Sequence, residues 1–471
     1  MRFPRQLNSN AAIMLAASLS FPSFAVAQPT DPGVRRAATD NGPPVPLSGL
    51  AADELAFFAD GVARFATIEV VSGALQKQGN GLGPRFNSDQ CSSCHSQPYM
   101  GGSSPAVNPL LGVASAGGAA NVVPWFETAH GPIREARFIE SNGAYDGGVH
   151  NLFVVTGRGD AGGCNIQQPD FSPAGNPLTG RGGNPNIVFR IPTPTLGSGL
   201  IEAIPDAAII ANMQANAGQN GRLGVRGHAN AVQGGNVNLS ANDGTITRFG
   251  WKAQNKSLLM FAGEAYNVEM GISNQLFPQE RDETAACRTY PVTPEDTSNF
   301  TLTSTYAATA VLSDIEAFAN FMRMLAPPQP APATASTTDG RAAFIDVGCA
   351  ACHTPGFTTG TAVATGSSRA PSPALSRQQV NLYSDLLVHH MGQGLADGIT
   401  QGAAGPDEFR TSPLWGLGQR VYFLHDGRTN DLVAAIQAHA GDGSEANQVV
   451  QQFNKLNPGA QQDVLNFLRS L

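Results

Sequence analysis

The stretches Cys91-Ser92-Ser93-Cys94-His95 and Cys349-Ala350-Ala351-Cys352-His353 decide most of what this chain can be. In each, two thiols flank a dipeptide and a histidine follows directly. That spacing lets both sulfurs add across the vinyl groups of one haem while the adjacent imidazole binds the iron from below. A zinc site built from the Cys-X-X-Cys pairs would use the same cysteines, four ligands gathered around one ion. It gives no reason for a histidine after each pair. Two covalent haem c groups are therefore expected, one on Cys91, Cys94 and His95, the other on Cys349, Cys352 and His353.

The N-terminus agrees with this chemistry. Arg2 and Arg5 precede an apolar run from Ala11 to Leu19, and Ala25-Val26-Ala27 offers small residues where a signal peptidase reads. Residues 1–27 read as a signal peptide cleaved before Gln28, with an uncleaved anchor as the rival reading. The run is too short to span a membrane and no later stretch is long enough. Haem c is attached outside the bacterial cytoplasm, so an exported, periplasmic protein with no membrane span after signal removal is expected.

Composition sets further bounds. The 471 residues include 53 Gly and 33 Pro, and only 14% are charged. Such a chain is long enough for two cores, with helices separated by long ordered connections. The net charge of -8 comes without a basic cluster, which argues against nucleic acid. An acidic surface suits a basic electron-donor protein, or is simply solvated.

Along the chain, residues 28–50 read as an extended arm and 51–58 as the start of a helix. Residues 79–87 form a glycine-rich loop leading to the first haem motif. From Gly101 to Thr247 the pattern is irregular, with strand-like pieces at 152–155 and 187–190. Helices are expected at 257–264 and 312–325. Pro327, Pro328, Pro330 and Pro332 then stop the second of these and mark a linker over 327–340. Two closing helices are expected, at 431–439 and 461–471. The expected domains are thus a haem c domain with large loop insertions over 28–326 and a second haem c domain over 341–471. The fold class is mainly α: two cytochrome c-like haem domains with long ordered loops and a few short strands.

The sixth position on each iron sets its chemistry, since a second strong ligand makes an electron-transfer haem and an open position a reactive one. Helical spacing puts His439 on the face of Leu432, Ala435 and Ile436, as a buried haem ligand or as a helix-end histidine that suits the dipole. His130 and His150 are the other histidines near the first motif; surface or propionate contact is the plainer reading of each. Arg428 suits a haem propionate or solvent. Cys164 and Cys287 are left over as an even pair in an exported chain, which reads as a structural disulfide, with a redox-active dithiol as the alternative.

From Gly81-Leu82-Gly83-Pro84 onward the chain resembles the di-haem oxidoreductase (putative peroxidase) family. That family is related to bacterial di-haem cytochrome c peroxidases, the di-haem enzyme that matures methylamine dehydrogenase, and rubber oxygenases. The residues that carry the resemblance are Phe189-Arg190-Ile191-Pro192-Thr193-Pro194, Gly199-Leu200-Ile201-Glu202-Ala203-Ile204-Pro205-Asp206, Phe249-Gly250-Trp251-Lys252-Ala253-Gln254 and Val268-Glu269-Met270-Gly271. Ser384-Asp385-Leu386-Leu387, Leu414-Trp415-Gly416-Leu417-Gly418 and Phe423-Leu424-His425-Asp426-Gly427-Arg428 belong with them.

The resemblance implies that His439 is the distal ligand of the C-terminal haem, that Trp251 lies between the haems, and that Glu269 handles protons in peroxide cleavage. The segment between Trp251 and Glu269 is shorter than in the peroxidases and lacks their pocket glutamine. Calcium stays open, because the matching loop, Arg420 to Tyr422, departs from the relatives' pattern. The implied function is a periplasmic di-haem c-type oxidoreductase, peroxidase-like, which reduces hydrogen peroxide or a related oxidant at the N-terminal haem. Electrons from a periplasmic donor protein would arrive through the C-terminal haem. The alternatives are a non-catalytic electron-transfer cytochrome, a rubber-oxygenase-like haem dioxygenase, and a non-catalytic partner of an uptake system.

Overall fold

This computed structural model describes Met1 and residues 28–36, 42–71, 79–83, 88–116, 118, 123–141, 144–145, 159–161, 163, 171, 175–176, 181–182, 186–231, 244–279, 294–298, 308–362 and 371–471. The expected signal peptide, the strand at 152–155, His150, Cys164 and Cys287 lie outside the described residues. Helices dominate. They are α1 (Ala52–Phe65), a single turn α2 (Cys91–Cys94), α3 (Leu110–Ala116), α4 (Ser198–Glu202), α5 (Asp206–Arg222), α6 (Leu258–Met270), α7 (Asp314–Met324), α8 (Ala335–Asp346), α9 (Leu432–Ala438), α10 (Asn447–Lys455) and α11 (Pro458–Ser470). Strands among the described residues are short and pair only in twos. Glu135–Phe138 runs antiparallel to Ile187–Arg190, with Glu135 opposite Arg190.

The first core is α1, α6 and α7 packed through aromatic side chains. Phe65 meets Phe321 at 4.8 Å and Tyr266 meets Phe318 at 5.1 Å between ring centroids. α1 and α7 approach closely at Gly61, where a Cβ would stand 2.6 Å from the Ala317 carbonyl oxygen. α7 opens on a capping box in which Glu316 Oε2 accepts from the Ser313 N–H at 2.9 Å, and it ends before Pro327 and Pro328. The second core gathers α8, α9, α10 and α11 around Phe344, Phe453 and Phe467. Here Gly340 of α8 lies against the Asp463 carbonyl of α11.

Several expected boundaries change. The stretch 327–340 is extended only to Thr334, whose Oγ1 accepts from the Thr337 N–H and starts α8 inside it. The 17-residue α5 occupies part of the irregular 101–247 region. It escapes a periodicity reading because only Asp206 and Ile209 are buried on it, so Ala, Asn and Gln fill the rest. The C-terminus closes with α9, α10 and α11 and not two helices; α10 buries only Val449, Val450 and Phe453. The arm at 28–36 docks on the C-terminal helices. Asp31 takes Arg469 in a bidentate pair at 2.7 and 2.6 Å and accepts from the Leu432 N–H at the start of α9. Phe357, Leu375, Val380 and Leu387 from beyond the linker join the first core. No helix among the described residues is long and apolar enough to cross a membrane.

Candidate functional site

Each Cys-X-X-Cys-His forms one tight turn. His95 N–H bonds back to the Cys91 carbonyl at 3.1 Å, and His353 N–H to the Cys349 carbonyl at 2.9 Å. Both cysteines of a motif and the following histidine then line one cavity. With its open mouth included, the N-terminal cavity spans about 880 Å³ and the C-terminal one about 1440 Å³.

The orientation of the two histidines is the same. His95 Nδ1 lies 3.0 Å from the Gly102 carbonyl and His353 Nδ1 2.9 Å from the Tyr383 carbonyl. A carbonyl can only accept, so Nδ1 carries the hydrogen and Nε2 keeps its lone pair toward the cavity. Burial lowers the His95 pKa and pushes that of His353 down to about 4, so both rings are the neutral form an iron needs. The described residues gather no cluster of His, Cys, Asp and Glu that could hold a metal ion by themselves, as the zinc reading would require.

His439 sits at the C-terminal end of α9, on the cavity wall with Leu432, Ala435 and Ile436. Its Nδ1 donates to the Ala435 carbonyl at 2.7 Å, which again leaves Nε2 for the cavity. Burial lowers its pKa, and it is close enough to His353 to oppose protonation of that ring. Two neutral imidazoles thus face one apolar space.

At the N-terminal cavity the described residues supply carboxyls where the other cavity has His439. Glu269, near the end of α6, and Glu135, from the strand 135–138, both line it, and their carboxyls are hydrogen-bonded. Two carboxyls in that contact share a proton. Burial, and then Glu135, push the Glu269 carboxyl well above the ordinary carboxylate range. Glu135 was missed in the sequence because it arrives from a strand far from α6; the absent pocket glutamine was the one signal that another element had to supply a polar group. His130 is exposed and lies off this cavity; its carbonyl accepts from Tyr422 Oη at 3.2 Å.

Between the cavities lies Trp251, which lines the C-terminal cavity and also a small pocket shared with Glu135, Glu264 and Glu269. Its Nε1 donates to the Ile191 carbonyl at 2.9 Å, and its ring meets His425 edge-on. His425 stacks on Phe409 at 4.1 Å, and Lys252 Nζ stands 4.1 Å from the centroid of the same Phe409 ring. Lys252 and Arg190 both pair with Asp397, at 3.0 and 2.7 Å. Stretches around 190, 251 and 425, separate in sequence, therefore meet at this partition.

Charge placement tests the fit of a haem further. Arg410 and Arg420 both line the C-terminal cavity, and burial pushes each guanidinium down to about 10. Arg410 Nε reaches only the Gly250 carbonyl, at 3.0 Å, and none of the ion pairs among the described residues engages either side chain. A buried Arg410 and a half-buried Arg420 beside an apolar cavity suit the two propionates of a haem. Arg428 does not fill that role, because it is paired with Asp426 at 2.6 Å and with the Gly394 carbonyl. His389 is held between Asp385 and Glu445, each 2.9 Å from a ring nitrogen, a clamp that suits an imidazolium beside Cys352. At the loop considered for calcium, the Arg420 carbonyl accepts from Arg469 Nη1 at 3.0 Å, so a guanidinium already serves that oxygen.

Comparison with known proteins adds one assignment. A family model described as "Di-haem oxidoreductase, putative peroxidase" matches residues 184–471, more than half of the chain and C-terminal to the first haem motif. No curated protein matches. Among solved structures, the diheme peroxidase BthA from Burkholderia thailandensis is 17% identical, covering 48% of this chain and 65% of its own, with a TM-score of 0.27. Hydrazine synthase from Kuenenia stuttgartiensis is 18% identical over 35% of this chain and 56% of its own, at 0.22. A MauG-like protein associated with microbial copper homeostasis is 19% identical over 35% and 55%, at 0.24. The chain thus spans between about half and two thirds of these three.

Proposed function

The chain belongs to the di-haem oxidoreductase family, and from that premise we propose that it is an exported c-type enzyme that reduces hydrogen peroxide at its N-terminal site. In this reading Cys91 and Cys94 bind one haem covalently and Cys349 and Cys352 the other. His95 and His353 are the proximal ligands, and His439 is the second ligand at the C-terminal site. Bound there, the haems supply one-electron redox chemistry and an iron open to peroxide. Everything else falls to the protein.

The observation that carries the reading is the unlike lining of the two cavities. A neutral imidazole opposite His353 suits a site that only passes electrons. A protonated carboxyl pair beside His95 suits a site that breaks an O–O bond, because the departing oxygen needs a proton and Glu269 with Glu135 holds one. Reduction of peroxide to two waters consumes two electrons and two protons. The protons pass through Glu269, and the electrons come from a periplasmic donor protein by way of the C-terminal site, with Trp251 in the partition between. A pure electron carrier, or an oxygenase acting on an apolar polyene, gives no reason for the shared proton. Export rests on the signal pattern at residues 1–27 and on the chemistry of haem c attachment. Calcium has no part in the reading.

The test is the full-length protein expressed with cytochrome c maturation. Its mass should show two haem additions and a start near Gln28, and after partial reduction it should consume peroxide. A single haem, or no reaction with peroxide, would defeat the proposal.

A further inference from the structure

α6 brings a second polar side chain to the N-terminal cavity that the peroxidase reading leaves unused. Tyr266 is 3% exposed and lines the same cavity as Cys91 and His95. Its Oη lies 3.1 Å from Glu69 Oε1 and 3.2 Å from Asp314 Oδ2. A phenol has one hydrogen and can donate to only one of two carboxyls. The other must carry a proton of its own and donate it to Oη.

The surroundings say which is which. Glu69 is 3% exposed, and its Oε2 has no hydrogen-bond partner among the described residues, a costly arrangement for a buried carboxylate. Burial and the nearby Asp314 push it up to about 8, so it is mostly protonated at neutral pH. The Asp314 side chain is 32% exposed, and its Oδ1 pairs with Arg64 Nη1 at 2.9 Å. Asp314 is therefore the carboxylate. The chain of donors runs from Glu69 to Tyr266 to Asp314. Simple loss of the phenol proton is opposed, since burial and then Asp314 hold the Tyr266 pKa well above its usual value. The phenol thus stays neutral, with a base already hydrogen-bonded to it.

We propose that Tyr266 is a one-electron donor to the N-terminal site while peroxide is being reduced. The ring gives one electron to the oxidised site that O–O cleavage leaves behind. In the same step the O–H bond breaks and its proton moves to Asp314 Oδ2, leaving a neutral tyrosyl radical. An electron from the donor protein and return of that proton regenerate the phenol, so over the cycle peroxide still takes two electrons and two protons from outside. This inference rests on the peroxidase reading, and its test separates the two.

The experiment is freeze-quench EPR of the partially reduced holoprotein mixed with hydrogen peroxide, with peroxide consumption followed in parallel. A radical signal that narrows when tyrosine is ring-deuterated is expected, and Tyr266→Phe should abolish it while both haem spectra persist. Asp314→Asn keeps the phenol and removes its base. The signal should then form roughly a hundredfold more slowly, the scale of lost acid–base assistance, which keeps the test sound if the phenylalanine variant fails to fold. Peroxide consumed without a deuterium-sensitive signal, or with one that survives in Tyr266→Phe or forms at an unchanged rate in Asp314→Asn, overturns this inference alone. Peroxide left unconsumed overturns the peroxidase reading and this inference with it.

Discussion

The two haem motifs are built alike and their cavities differ. On the proximal side each has a tight turn, two cysteines, and a histidine whose Nδ1 is fixed by a backbone carbonyl, Gly102 for His95 and Tyr383 for His353. Elsewhere in the lining one cavity has His439, Arg410 and Arg420, and the other has Glu269, Glu135 and Tyr266. The pentapeptides give the two cavities the same turn and the same histidine orientation, while helices and strands from elsewhere in the chain make their linings differ.

The largest effect expected from this contrast is on peroxide cleavage. Glu269→Gln should slow the stopped-flow reaction by roughly a hundred- to ten-thousand-fold with both haem spectra nearly intact, because a proton carrier is lost and not a ligand. Glu135→Gln should slow it as well. The double variant should be little worse than the slower single one, since the pair acts through one proton.

The pH profile sharpens the same point. Burial and then Glu135 raise the Glu269 carboxyl, so its acid form persists above the ordinary carboxylate range and the rate should fall as pH climbs through that raised value. Removing the neighbouring carboxyl in Glu135→Gln lowers the pKa again. The alkaline limb of the profile should then move to lower pH. A limb that stays in place, or moves up, would break the pairing.

How much of this could be read from the sequence follows from chain distance. That each pair of cysteines and its histidine would line one cavity was legible because five consecutive residues place them together. His439 was legible in part, since helical spacing aligns it with Leu432, Ala435 and Ile436 but cannot say what lies opposite. Glu135, Arg410 and Arg420 were not, because each enters its cavity from a separate element with no local pattern. Of the two readings of Arg428, propionate or solvent, the first is disfavoured for a related reason: Asp426, two residues away, takes the guanidinium. In the fold, α1, α6, α7, α9 and α11 were found, while the nine-residue α10 was not. The polar α5, and α8 with its start hidden after a proline run, were not either.

A smaller effect is expected at the C-terminal cavity's cations. Arg410→Ala or Arg420→Ala should lower the thermal stability of the holoprotein, by about 1.5–3 kcal/mol if each bonds a propionate. Calorimetry of the holoprotein checks this. No loss in either variant would remove the propionate role. Trp251→Ala should leave the first reaction with peroxide in place and slow steady turnover driven by the electron donor.

The central claim is that one iron is closed by His439 and the other is open. Low-temperature EPR of the resting holoprotein and of His439→Ala tests it most directly. The account expects a low-spin C-terminal signal beside an N-terminal site that is partly high-spin or readily binds cyanide. In His439→Ala the low-spin signal should turn high-spin with both haems still covalently attached. A variant spectrum identical to wild type would show that His439 is only a helix-end histidine, and the contrast between the two sites would fall.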